Sequence, residues 1–165
     1  MSTSFTSLSA KIQDLDQGIT TVRTWQQQGL EVVFTNGCFD LLHYGHLHYL
    51  AQARDLGDKL VIGLNSSDSV ARLKGPHRPI KDEETRSHLL AALTFVDLVV
   101  IFAEDTPLEL IRSLRPDVLV KGGDYNIEDI VGAAEVQSWG GTVEVLAFVE
   151  GYSTTAYESK IKASE

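Results

Sequence analysis

The 165-residue chain has no apolar run that approaches the roughly 20 residues a bilayer span requires. Its opening segment, MSTSFTSLSAKIQDLD, lacks the basic-then-apolar pattern of a secretory signal. Cys38 is the only cysteine, which excludes an internal disulfide and makes a reducing cytoplasm the expected compartment. Positive charge is scarce. Fourteen Lys and Arg stand against 23 Asp and Glu, and the resulting net charge of −9 argues against a nucleic-acid surface. An anionic ligand would need a local cationic cluster acting against that field. Internal repeats, linkers and low-complexity tracts are also missing. What remains, 43% hydrophobic and 22% charged, suits one globular domain with a proper core.

Leu8, Ile12, Leu15, Ile19 and Val22 recur at three- and four-residue steps, the signature of one amphipathic helix, with Gly29 placed to end it. Residues 1–30 are thus expected to stand before an α/β domain at 31–165, as a core cover or a subunit contact. From there the pattern alternates. Uninterrupted apolar runs at 32–35, 60–64, 98–102, 118–120 and 143–147 predict strands buried on both faces, hence parallel. Helices are expected at 45–56 before Gly57 and at 83–93 behind an Asp82 cap. Another follows the capping-box residues Thr106, Pro107 and Glu109. Two more are expected at 133–139 and from 154 onward. This predicts an α/β, Rossmann-like, doubly wound sheet of five parallel strands.

In such sheets ligands sit beyond the carboxyl ends of the strands, where the strand order reverses. The unusual residues all fall there. Asn36, Gly37, Cys38, Phe39 and Asp40 follow the first strand, and Asn65, Ser66 and Ser67 the second. Lys121, Gly122, Gly123, Asp124 and Tyr125 follow the fourth, and Tyr152, Ser153, Thr154 and Thr155 the fifth. Neither Gly-x-Gly-x-x-Gly after the first strand nor a Walker A loop is present. His43-x-Gly45-His46 instead opens the first helix of the alternation. Residues i and i+3 share a helix face, and a helix start adds unpaired N–H groups. Gly45, lacking Cβ, would let a phosphate chain lie close to the backbone. Ordinary polar capping and a zinc site through His48 are the alternatives. Position i+2 faces away, however, and no Cys or carboxylate repeats at ligand spacing.

Together these segments resemble the cytidylyltransferase-like nucleotidyltransferase superfamily, marked by His-x-Gly-His after the first strand. TNGCFDLLHYGH, NSSDSVARLKGPHRPI, VDLVVIFAEDTP, VKGGDY and GYSTT are most similar to the D-glycero-β-D-manno-heptose 1-phosphate adenylyltransferases. The resemblance implies catalytic roles for His43, His46 and Lys74, with Lys74 in a loop after the second strand. It implies nucleotide contacts from Gly37, Cys38, Phe39, Gly45, Asn65, Lys121, Gly122, Gly123, Asp124, Ser153, Thr154 and Thr155. Gly122 and Gly123 would make room for the base. Asp40, Arg78, Arg86 and Tyr125 would meet the acceptor. Lys74 could equally be a solvated lysine, Asp40 a loop anchor, Arg86 a surface partner of Glu83, and the Ser-Thr-Thr run plain helix caps. Departing from many superfamily members, the last helix has no basic residue directly after that run; Lys160 is the first.

The implied reaction is transfer of AMP from ATP to a sugar 1-phosphate, with release of pyrophosphate. Mg²⁺ would be the cofactor, held mainly by the triphosphate. A homodimer is expected, together with a separate sugar kinase on another chain. No membrane or nucleic acid is expected as a partner. The rival readings are a cytidylyltransferase acting on glycerol 3-phosphate or another phospho-alcohol, and a nucleotide-binding module without turnover.

Overall fold

The computed structural model describes residues 3–163. The chain runs through α1 (Ser4–Ser9), β1 (Ile12–Gln13), α2 (Leu15–Gln27), β2 (Val32–Gly37), α3 (Tyr44–Arg54), β3 (Lys59–Asn65) and α4 (Ser67–Lys74). It continues through α5 (Glu83–Ala91), β4 (Leu98–Phe102), α6 (Leu108–Leu114), β5 (Val118–Gly122), a 3₁₀ turn at Ile127–Asp129, α7 (Ala133–Ser138), β6 (Thr142–Leu146) and α8 (Thr154–Lys162). The strands form one sheet in the order β1-β4-β3-β2-β5-β6, and every pairing is parallel.

Alternate residues of the inner strands feed two separate cores, which explains why those strands read as continuous apolar runs. On one face Val32, Phe34, Val61, Val100 and Leu119 meet Val22 of α2 and Leu110, Ile111 and Leu114 of α6. On the other, Val33, Leu60, Ile62, Leu64 and Val120 meet Tyr49, Leu50 and Ala53 of α3 and Leu90 and Ala91 of α5. The chain winds outward from β2 to β3 and β4, then returns to place β5 and β6 on the other side of β2. The reversal between β2 and β5 opens a crevice at their carboxyl ends.

The sheet has six strands, not five. The single helix expected from Leu8 to Val22 is two helices with a short strand between them. Asp14 caps α2 by accepting from the Gln17 N–H at 2.9 Å, and Ile12 and Gln13 pair with Val99 and Val100. Two strand residues are too few to break a helical periodicity, and Ile12 satisfies both patterns. A second departure is α4, which occupies the expected loop after the second strand. Ser66 caps it by accepting from Ser69 N–H at 3.2 Å, and Lys74 is its last residue. Asp82 caps α5 as expected. The capping box at Thr106 does not form, and α6 starts behind Pro107 with no side-chain cap.

Carboxylates tie down the amino edge of the sheet. Asp58 accepts from Glu31 N–H at 2.9 Å, Asp117 from Val32 N–H at 2.8 Å, and Asp97 from Leu60 N–H at 2.9 Å. A broad depression of about 550 Å³ at this edge, lined by Glu31, Asp58, Asp117 and Trp139 among others, is therefore walled by groups with structural partners. Replacing Asp117 by Ala would leave Val32 N–H without its acceptor. Urea unfolding should show a loss of about 1–3 kcal/mol. The chemistry at the opposite edge should stay within twofold of the unmodified protein, by initial rates; a larger change would place Asp117 in the functional machinery.

Candidate active site

The β2–β5 crevice forms a cleft of about 400 Å³ lined by Asn36, Gly37, Cys38, Phe39, Asp40, His46, Tyr49, Lys74, Lys121, Gly122, Tyr125, Phe148 and Thr154. Its floor begins where β2 ends. Phe39 adopts φ +45°, and its ring folds back against Gly37, where a Cβ would lie 3.0 Å from it. The loop then reaches His43, the N-cap of α3, whose Nδ1 accepts from His46 N–H at 3.4 Å. That bond leaves the proton of the neutral His43 ring on Nε2. The two imidazoles stack with centroids 3.8 Å apart, Phe39 meets His46 edge-on, and Tyr157 of α8 stacks on His43 at 5.8 Å. Gly45 is what allows this crowding. A Cβ there would come within 3.1 Å of both the His43 ring and Tyr152 Cβ.

Burial chiefly, then the neighbouring His43 and Lys74, push His46 down to about 4, and the opposing pull of the Leu41 carbonyl does not offset them. Burial also lowers His43. Both rings are neutral at neutral pH. His43 can donate its Nε2–H to an anion, and the charge of an anion would favour the protonated form of both rings.

Two lysines face the same space. Lys74 projects from the end of α4, close enough to depress His46. Lys121, at the end of β5, donates to Asn36 Oδ1 at 3.2 Å, and burial lowers its pKa. Neither forms an ion pair among the described residues. The lone carboxylate among the lining residues, Asp40, is 2% exposed and already neutralised. It accepts from Ile80 N–H at 2.8 Å, Lys81 N–H at 3.0 Å and Arg78 Nη1 at 2.6 Å. Burial alone would raise its carboxyl, but the Lys81 N–H, Arg78 and the Ile80 N–H together hold it below the usual range. Arg78 also pairs with Glu158 of α8. The cleft therefore holds uncompensated positive charge in a chain of net charge −9.

Gly122 and Gly123 admit rings rather than leaving open space. A Cβ at Gly122 would meet Phe148 at 2.8 Å and Tyr49 at 3.1 Å; at Gly123, with φ +125°, it would meet Tyr125 at 2.9 Å. Phe148 and Tyr125 are 63% and 50% exposed at the mouth of the cleft, where a flat ligand ring can lie against them.

Residues 34–165 match the sequence pattern of the family described as cytidylyltransferase-like. The chain belongs to the cytidylyltransferase-like family. Among relatives of this family member, the bifunctional protein HldE of Geotalea uraniireducens (strain Rf4) is 57% identical over 153 residues, 93% of this chain and 31% of the relative. The chain thus spans 31% of the length of such curated relatives. The lipopolysaccharide core biosynthesis protein from Thermoplasma volcanium GSS1, a solved structure, is 31% identical with a TM-score of 0.58, over 76% of this chain and all (100%) of that one. A pantoate-beta-alanine ligase from Francisella tularensis, complexed with beta-gamma ATP and beta-alanine, shares the fold at 13% identity and a TM-score of 0.57, over 92% of this chain and 76% of its own.

In this cytidylyltransferase-like chain the cleft gathers Gly37, Cys38, Phe39, Asp40, His46, Lys74, Lys121, Gly122, Tyr125 and Thr154, with His43 and Gly45 packed behind His46. Gly123 packs under the Tyr125 ring. Asn65 is buried outside it, its amide donating to Ser69 Oγ at 3.0 Å. Asp124 is exposed and does not line the cleft, and Arg78 reaches it only through Asp40. Ser153 is exposed at the start of α8, and the side chain of Thr155 lies outside the described residues. Arg86 corrects the sequence reading. It is wholly buried, neither a surface partner of Glu83 nor at the cleft wall, because its guanidinium is surrounded by backbone acceptors. Sequence reasoning passed over Phe148 and Tyr49. An exposed Phe just past the last strand was the available signal for Phe148; nothing local marked Tyr49.

The His46 shift sets a pH dependence. Between about 4 and the ordinary 6.5, the unfolded chain binds a proton at this position that the folded chain does not. Stability therefore falls as pH drops through that window. His46→Gln should flatten the fall between pH 7 and 5 in urea titrations. Equal losses in both proteins would exclude His46 as the titrating group.

Proposed function

We propose that this chain is an adenylyltransferase. It transfers AMP from ATP to D-glycero-β-D-manno-heptose 1-phosphate, giving ADP-heptose and pyrophosphate. The observation that carries the reading is the meeting of a stacked, neutral histidine pair and two lysines without carboxylate partners at one switch-point cleft. The high identity to the HldE proteins supports the choice of substrates.

An oxygen of the acceptor phosphate attacks the α-phosphorus in line. The new P–O bond forms as the bond from the α-phosphorus to the bridging oxygen breaks, and the electron pair leaves with pyrophosphate. No covalent intermediate with the protein is needed, so the protein contributes placement and charge stabilisation. His43 Nε2–H and the His46 ring donate to the polyphosphate oxygens, Lys74 and Lys121 neutralise them, and Thr154 offers a hydroxyl at the start of α8. The base lies against Tyr125 and Phe148.

The donor set bears on Mg²⁺. Asp40 is committed to Arg78 and two N–H groups, and among the described residues no group of three or more His, Cys, Asp or Glu is placed to hold a metal. This fits an ion carried by the triphosphate, as Mg²⁺ commonly is. When bound there it would neutralise part of the polyphosphate charge. We also read the working form as a homodimer supplied with acceptor by a sugar kinase activity. Light scattering at micromolar concentration should report twice the chain mass, and a monomer would remove that part of the reading.

His43→Ala and His46→Ala should each lower kcat by roughly 10²-fold, as loss of a transition-state donor does, with the fold retained by circular dichroism. Near-normal turnover in both would remove their assigned role. Pyrophosphate release should be measured with ATP and CTP, each against heptose 1-phosphate and glycerol 3-phosphate. A clear preference in kcat/KM for ATP with the heptose is expected. CTP equal to ATP would put a cytidylyltransferase in its place, and nucleotide binding without release on any acceptor would favour a binding module.

A further inference from the structure

Arg86 is the only arginine among the described residues that is fully buried, at 0% exposure. Among the described residues no carboxylate shares a hydrogen bond with it. Its partners are four uncharged acceptors. Nη1 donates to the carbonyls of Cys38 at 2.9 Å and Asn65 at 2.7 Å, Nε to the carbonyl of Lys81 at 3.1 Å, and Nη2 to Ser67 Oγ at 3.2 Å. Cys38 begins the loop after β2, Asn65 ends β3 and Ser67 opens α4. One planar guanidinium thus joins the ends of two neighbouring strands directly beneath the cleft.

The Cys38 bond has a stereochemical consequence. The 38–39 peptide is trans, since the one cis bond among the described residues is Arg78–Pro79. In a planar trans peptide the C=O of one residue and the N–H of the next point in opposite directions. The Cys38 carbonyl points inward to Arg86, so the Phe39 N–H points outward. Cys38 and Phe39 both line the cleft, and the Phe39 N–H has no hydrogen-bond acceptor among the described residues. A left-handed φ of +45° at Phe39, unfavourable for a bulky residue, is retained in the same turn.

We infer that Arg86 is a positioning residue: by holding the Cys38 carbonyl it turns the 38–39 peptide so that the Phe39 N–H faces the cleft as a preformed donor to a polyphosphate oxygen. The inference rests on the cleft being the polyphosphate site. A lysine at 86 would keep the positive charge, but a single ammonium on a flexible stem cannot present the fixed fork that spans Cys38, Asn65 and Lys81. Geometry, not charge alone, is the contribution.

The test uses the full chain labelled with ¹⁵N and inorganic tripolyphosphate as probe. Saturating tripolyphosphate should move the Phe39 amide proton downfield in the unmodified protein. Arg86→Lys and Arg86→Gln should both weaken tripolyphosphate binding about tenfold or more by calorimetry and lose that Phe39 shift. In turnover, Arg86→Lys should lower kcat more than it changes the KM of the acceptor, which general loosening of the fold would not select. Full binding and a retained Phe39 shift in a folded Arg86→Lys protein would overturn the assignment. So would a Phe39 amide that stays still while the unmodified protein binds tripolyphosphate, and this second result decides the matter even where neither variant folds. Absence of any tripolyphosphate binding to the unmodified protein would instead overturn the polyphosphate reading of the cleft, and this inference with it.

Discussion

A loop that leaves peptide N–H groups unpaired has few bonds of its own to hold it still. Here the loop between β2 and α3 is held through its other groups. Its carbonyl at Cys38 is taken by Arg86, its carboxylate at Asp40 by Arg78 and two N–H groups of residues 80 and 81, and its helix cap by His43. Four of these anchoring groups come from one stretch, residues 78–86, which runs from the α4–α5 connection into α5. The same stretch reaches across to α8 through the Arg78–Glu158 pair. The loop is therefore anchored on the side away from the cleft and, among the described residues, left unpaired at the Phe39 N–H. The geometry of the cleft depends on that arrangement, because the loop is tied to β3 through Arg86 and to α8 through Arg78.

Electrostatics follow the same division. The chain as a whole repels anions, with a net charge of −9. Around the cleft the sign reverses: Lys74 and Lys121 face it, Arg86 lies beneath it, and the one carboxylate among the lining residues, Asp40, is neutralised by Arg78. The cost of holding several cations together appears in the histidines. His46 is neutral partly because Lys74 is close and chiefly because it is buried. A polyanion in the cleft would relieve both the mutual repulsion of the cations and the penalty on the imidazolium, which would couple anion binding and local protonation in the same direction.

Much of this was legible without coordinates because it is encoded over short range. Runs of Val, Ile and Leu too continuous for a half-exposed sheet foretold the parallel inner strands, and the position of each polar segment relative to its strand foretold which edge carries the site. The misreadings arose where two local patterns agree with one sequence. Ile12 continues a helical stripe and also makes a strand residue, and only pairing with Val99 on the neighbouring strand separates the two. Ser66, Ser67 and Asp68 suit a loop as well as a helix start. Gly122 and Gly123 announce open space, yet the rings that enter it come from Phe148, Tyr125 and Tyr49, two of them more than twenty residues away.

The sequence by itself determined the alternation of strands and helices, the placement of His43-x-Gly45-His46 after an inner strand, and the clustering of polar segments at one sheet edge. Each follows from backbone geometry within a few residues. The tertiary structure alone decided where the long side chains go. Arg86 has the spacing of a surface residue paired with Glu83, and only the packing of α5 under the β2 loop turns it inward to the Cys38 and Asn65 carbonyls. Lys121 and Lys74 become neighbours in one cleft because β5 returns to the side of β2 while α4 leads away from β3. A flexible side chain takes its direction from acceptors supplied by distant segments, and a local pattern carries no information about those.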